Sequence, residues 1–144
     1  MQPASDGLDA GQRAALRRLQ RAQLAEARRI RQAVAAAYTL APAHLCAPCR
    51  AYPFVEARQV AMYLMRTRLT WLTLARGAAF PMARIGCLLG GRDHSTVMHG
   101  AAVIATRLDS GRQEDAYLHH MICSIGTTLD ATYEAEEARH RRAA

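Results

Sequence analysis

The sequence contains no lysine: all 19 of its basic side chains are arginine. An alanine-rich chain with arginine alone is also what a GC-rich coding bias produces, so the residue type by itself excludes little. No apolar run approaches the roughly 18 residues that a membrane-spanning helix requires, which excludes that class. The start, MQPASDGLDAGQR, lacks a basic segment followed by an apolar stretch, so a secretory leader is not expected and a cytoplasmic location is. No G-x-x-x-x-G-K-[ST] loop occurs, so no nucleotide site can be argued and no nucleotide or other cofactor is expected. No segment alternates polar and apolar residues or concentrates β-branched ones, which excludes a sheet and leaves an all-α chain.

Four cysteines are present, two of them in H-L-C-A-P-C at 44–49. A structural zinc site needs a second closely spaced pair of ligands, and Cys87 and Cys123 stand alone. A thioredoxin-type redox site would need a βαβ setting, which an all-α chain cannot supply. Reduced thiols without a metal are the expectation. Catalysis has as little support. Asp93 and His94 are neighbours at a helix start and point in different directions, whereas a base and its orienting group must converge. His44, His99, His119, His120 and His140 show no ligand spacing with partners and read as surface or packed histidines.

What is present is a segregated charge. Residues 10–112 hold sixteen arginines and four acidic residues, a balance of +12, whereas residues 113–144 carry −3 and residues 1–9 carry −2. The middle of the chain is therefore a candidate for binding a polyanion, and the tail is not. The 144 residues suit one domain with flanking helices: an extension over 1–27, a central domain over 28–125 and an acidic helix end over 126–144.

Residues 10–37 predict a long basic helix, with Leu16, Leu19, Ala27, Ile30, Val34 and Tyr38 on one face. Pro42, Pro48 and Pro53 break the following stretch into a short turn and a loop. A helix is expected over 55–69, buried through Val60, Ala61, Leu64, Met65 and Leu69. Residues 70–81 fit either a continued helix or a packed loop, with Gly77 and Pro81 ending it. A short helix over 82–89 follows, with Gly90 placed as the left-handed residue after it. Asp93 is the expected N-cap of a helix over 94–108, and a last helix spans 113–138.

Two helices joined by a short glycine turn match the helix-turn-helix pattern, in which the start of the second helix faces base edges in the major groove. Arg92, Asp93, His94, Ser95 and Thr96 occupy that start. Arginine can reach guanine acceptors or a phosphate, aspartate can accept from the cytosine amine, and serine or threonine can bond either. The free amides of the first turn also favour an anion. The competing reading is a capped αα-hairpin that binds nothing.

The run I-G-C-L-L-G-G-R-D-H-S-T-V-M-H at 85–99 resembles the signature of the C-terminal DNA-binding domain of the bacterial replication initiator DnaA. A-R-Q-V-A-M-Y-L at 57–64 resembles a second segment of that domain, and Ile30, Val34, Tyr38 and Leu45 fall where its first helix and following turn sit. The resemblance covers about residues 28–125. It implies that Arg58 enters the minor groove, that Asp93, His94 and Ser95 read bases in the major groove, and that Arg92 and Thr96 contact base or backbone nearby. Arg50, Gln59 and Arg84 are the expected backbone contacts.

The chain departs from that family in three places. The stretch 46–57, usually a basic loop, keeps only Arg50 and adds Glu56; each lost phosphate contact weakens affinity and its salt dependence. The segment between Thr70 and Pro81 is about eight residues longer than usual. Gly100 replaces the usual alanine, at about 1 kcal/mol in a helix interior. The resemblance implies a nucleoid-associated binder of double-stranded DNA at DnaA-box-like sites that regulates replication initiation or transcription without an ATPase. The alternative is an interaction module with weak DNA binding, docking the initiator or RNA polymerase through its terminal helices.

Overall fold

The computed structural model describes residues 7–74 and 80–143, excluding the side chains of 70–74. Helix α1 spans Ala10–Ala37, α2 Phe54–Leu74, α3 Met82–Leu88, α4 His94–Asp109 and α5 Ala116–Ala143, with 3-10 turns at Pro42–Cys46 and Gln113–Asp115. Among the described residues there is no strand. The helix expected to begin at residue 113 opens instead as the 3-10 turn and becomes α-helical at Ala116. Residues 70–74 continue α2, which resolves half of the ambiguous segment, while residues 75–79 lie outside the described residues.

Asp9 starts α1 with a reciprocal capping box: its carboxylate accepts from the Gln12 amide at 2.7 Å, and the Gln12 side chain accepts from the Asp9 amide at 2.9 Å. Burial on α1 begins only at Gln23 and runs through Ala27, Ile30 and Val34. Leu16, expected inward, is 40% exposed, because the first turns of α1 precede the stretch that α2 and α5 cover.

Helix α2 is the centre of the core. Val60, Ala61, Met65 and Leu69 are fully buried, against Ile30 and Val34 of α1 and Val97, Ala101 and Ile104 of α4. Ile85 and Leu89 seal the α3 side, and Leu118, Ile125 and Leu129 bring in α5. Each such side chain contributes about 1.5–3 kcal/mol on leaving water.

Gly100 has a packing reason. A Cβ there would run into the Met62 sulfur and lie 3.3 Å from Cγ of Gln59, so glycine lets α4 close onto α2 around a methionine. The obstacle is the end of a flexible side chain, which can be removed. Introducing Gly100→Ala into a Met62→Ala background should therefore stabilise that background by about 1 kcal/mol in urea denaturation, the helix-propensity difference. A loss of stability there would show that Gln59, whose Cγ remains 3.3 Å away, and not Met62 alone, fixes the glycine.

Acidic side chains knit the helices together. Glu26 on α1 receives Arg29 at 2.7 Å and Arg68 of α2 at 3.5 Å, Arg29 also pairs with Glu136 of α5, and Arg68 reaches Asp130 at 2.6 Å. Glu56 accepts from Tyr38 at 2.7 Å, from Arg107 at 2.7 Å and from Tyr117, joining α2 to α1, α4 and α5. By its place in the sequence, Glu56 is a charge set against the basic loop. It points into the protein instead, where Arg107 neutralises it, so it subtracts little from the surface around that loop.

Candidate nucleic-acid interface

The corner between α3 and α4 is made by one carbonyl. The Gly86 oxygen accepts from the amides of Leu89, Gly91 and Arg92 at 3.2, 2.9 and 3.0 Å. Gly90 and Gly91 have φ of +90° and +78°, the left-handed region where glycine avoids the Cβ clash. The chain then enters α4 through Asp93, whose carboxylate accepts from the Thr96 amide at 2.8 Å. That bond, with the Thr96 hydroxyl, holds the Asp93 carboxyl below its ordinary value, so the cap is charged at neutral pH. Asp93, His94, Ser95 and Thr96 are all exposed, while Val97, Gly100, Ala101 and Ile104 anchor the helix from beneath.

The exposed face continues beyond that run. Met98, 47% exposed, and His99 lie three and four residues after Ser95, so they share its side of the helix. Neither was among the expected contacts, and the i+3, i+4 spacing from Ser95 is the signal that would have found them. An exposed methionine next to polar side chains is suited to apolar contact, such as a thymine methyl.

Beside α4 lies an open cleft of roughly 560 Å³, bordered by Arg50, Arg58, Gln59, Arg92, Thr96 and His99. It therefore gathers six residues from the 46–50 loop, α2, the turn and α4. Arg84 lies apart, exposed on α3, with its guanidinium 5.9 Å from the Phe80 ring.

Arg58 is not free at this surface. It is 5% exposed, and its guanidinium donates to the carbonyls of Ala47, at 3.0 Å, and Cys49. Arg92 donates to Ala47 at 2.9 Å and to Leu89. The two arginines, one from α2 and one from the turn before α4, thus clamp the 46–50 loop. Burial, and then the neighbouring Arg92 charge, disfavour the charged form of Arg58. For Arg58 to enter a groove, its bonds to the loop must be exchanged for bonds to nucleic acid. His44 turns back on its own 3-10 turn, where its ring nitrogen accepts from the Ala41 amide at 3.0 Å. The four cysteines are free thiols.

Two groups of arginines differ in their partners. Arg29, Arg68 and Arg107 are matched to Glu26, Glu136, Asp130, Glu56 and Asp115. Among the described residues, Arg50, Arg58, Arg84 and Arg92 make no ion pair with a carboxylate. Among the described residues Arg13, Arg17, Arg18, Arg21, Arg28 and Arg31 on α1 make no ion pair with a carboxylate either, so positive charge without an acidic partner lies both along α1 and around the helix-turn-helix.

A capped second helix set across a glycine corner, its first turn exposed beside unpaired arginines, defines a DNA-binding helix-turn-helix domain. Residues 27–104, more than half of the chain, match the family described as the bacterial dnaA protein helix-turn-helix, and the chain belongs to that family. It is 37% identical over 81 residues to the chromosomal replication initiator protein DnaA of Thermomicrobium roseum, covering 56% of this chain and 16% of that protein. The DnaA of Chloroflexus aggregans is 35% identical over 106 residues, 74% of this chain and 20% of the relative. That of Burkholderia multivorans is 35% identical over 100 residues, 69% and 17%. The chain therefore spans a fifth or less of the length of these relatives. No helix among the described residues is long and apolar enough to cross a membrane.

Proposed function

We propose that the protein binds double-stranded DNA sequence-specifically at DnaA-box-like sites, and that it regulates replication initiation or transcription from the nucleoid. The observation that carries this reading is the exposed, capped first turn of α4 beside arginines that no carboxylate neutralises. His94, Ser95 and Asp93 read base edges, Met98 touches a methyl group, and Arg92 and Thr96 act at the boundary between base and backbone. Arg58 exchanges the loop carbonyls for the minor groove, and Arg50, Gln59 and Arg84 hold phosphates. Residues 28–125 form the reading unit, with 1–27 and 126–144 as flanks.

The test is titration of a box-containing duplex and a scrambled duplex across salt concentrations. His94→Ala should bring the two affinities together, since it removes a base contact. Arg50→Ala should weaken both about equally and lower the magnitude of the log–log salt slope by about one, the signature of one lost phosphate contact. A wild-type protein that binds both duplexes equally weakly overturns the reading.

A second reading is supported by the Arg58–Ala47–Arg92 clamp, which occupies two of the reading arginines with protein carbonyls. On that reading DNA binding is weak, and the terminal helices dock the initiator or RNA polymerase. The outcome with equal, weak binding is the one it predicts.

A further inference from the structure

His119 and Cys123 lie one turn apart on α5, both exposed, with Cys123 Sγ 3.5 Å from His119 Nδ1. The DNA-reading surface uses neither. A tetrahedral zinc-class ion holds a thiolate at about 2.3 Å and an imidazole nitrogen at about 2.0–2.1 Å. At the tetrahedral angle of about 109° those bonds place sulfur and nitrogen about 3.5 Å apart. The contact is a sulfur–nitrogen hydrogen bond within α5, and its length matches the bite of such an ion.

The surroundings limit the ligand set to two per chain. Asp115 lies four residues before His119, but its carboxylate is held by Arg107 at 2.9 Å and by Ser110 at 2.8 Å. No group of three or more metal-binding side chains occurs among the described residues. The cationic neighbours in the same shallow cleft are balanced: Arg107 by Glu56 and Asp115, Arg112 by Glu114. One thiolate and one imidazole are half of the four ligands that a closed structural zinc site takes. An exposed helix face carrying half a site is completed by the same face of a second copy, because a two-fold axis brings each residue onto its equivalent.

We propose that His119 and Cys123 form a half-site for a zinc-class ion, and that two copies of this chain share one ion through their α5 helices in an S2N2 tetrahedron. Each cysteine gives up its thiol proton to solvent as the Zn–S bond forms, so assembly releases two protons per ion. The dimer would present two helix-turn-helix units related by a two-fold axis, the arrangement that reads paired half-sites.

Cobalt(II) is the probe, added to the full chain under a phosphine reductant. The expected result is tetrahedral d–d bands with a thiolate charge-transfer band, saturating at one ion per two chains and bleached by zinc. Sedimentation equilibrium should show a dimer with zinc and a monomer with EDTA. Cys123→Ser should abolish both signals with an unchanged circular dichroism spectrum, since the side chain is exposed. The Cys46→Ser/Cys49→Ser double variant should retain both. The proposal is overturned if no charge-transfer band forms, if the band survives Cys123→Ser, or if the ion binds one per chain to a monomer. None of these measurements involves DNA, so their outcome is independent of the proposed DNA reading.

Discussion

Glu56→Ala should destabilise the protein by about 3–5 kcal/mol, measured by urea denaturation at neutral pH. That is the magnitude associated with removing one partner of a buried ion pair. Glu56 is 7% exposed and is the shared acceptor for Tyr38, Tyr117 and Arg107, so its loss leaves the buried Tyr38 hydroxyl without an acceptor and the part-exposed Tyr117 and Arg107 without their anchor. Arg107 keeps Asp115, which limits the damage on the α5 side. Glu56→Gln preserves an acceptor oxygen and should lose less, about 1–3 kcal/mol.

The same site sets an acid limb. Burial alone would raise the Glu56 carboxyl, but the hydrogen bonds from Tyr117, Tyr38 and Arg107 outweigh it and hold the group below its ordinary value. A depressed folded-state value means that the stabilisation is complete above the unfolded carboxylate range and is lost as pH falls through the folded value. The difference in stability between wild type and Glu56→Gln should therefore shrink as pH drops below about 4.3, the ordinary glutamate value. A constant difference over that range would show that Glu56 is not the group that titrates. At the alkaline end, burial and the Glu56 hydrogen bond raise the Tyr38 hydroxyl. That contribution is complete below the unfolded tyrosine value and is lost as pH rises beyond it.

Those interactions mark the boundary of what the sequence makes legible. Helix starts and stops are local chemistry: Asp9 and Asp93 as caps, Gly90 after α3 and Pro42 after α1 all act where they stand. The polar run 92–96 is equally local, and Met98 and His99 follow from it by helical spacing. Glu56 and Arg58 are different. They stand two residues apart at the start of α2, and their side chains leave in separate directions, one into a four-helix network and the other to the 46–50 loop. A charge count along the chain places both on the surface, because it carries no direction. Leu16 fails in the opposite sense: its spacing is right for the apolar face of α1, but burial on that helix begins only at Gln23. The His119–Cys123 approach needs the side-chain geometry of α5, since an i, i+4 pair is common and its distance is not encoded in its spacing.

The three glycines of the corner should separate into two classes when each is changed to alanine, because only two of them face backbone. A Cβ at Gly86 would collide with the Arg92 carbonyl oxygen and stand 2.8 Å from its carbon, so α3 and the entry to α4 would have to move apart. Alanine gains about 1 kcal/mol in helix propensity at that position. Forcing rigid backbone apart costs about 3 kcal/mol, the upper end of the overpacking range, so a net loss is expected. Gly90→Ala meets the Cys46 carbonyl, with its carbon at 3.0 Å, and adds left-handed strain at φ +90°. Gly91, at φ +78°, faces open space, and its alanine variant should lose only the left-handed penalty of about 1–2 kcal/mol. The functional consequence follows the same division. Gly86→Ala displaces the carbonyl that gathers three amides and sets where Asp93 begins α4. Gly90→Ala displaces the turn from the loop that Arg58 and Arg92 clamp. Both should reduce discrimination between the box-containing and scrambled duplexes under conditions where the variants remain folded, whereas Gly91→Ala should keep it. If Gly86→Ala discriminates as well as wild type, the corner does not position the reading helix, and the exposed run at 93–96 reads DNA without it.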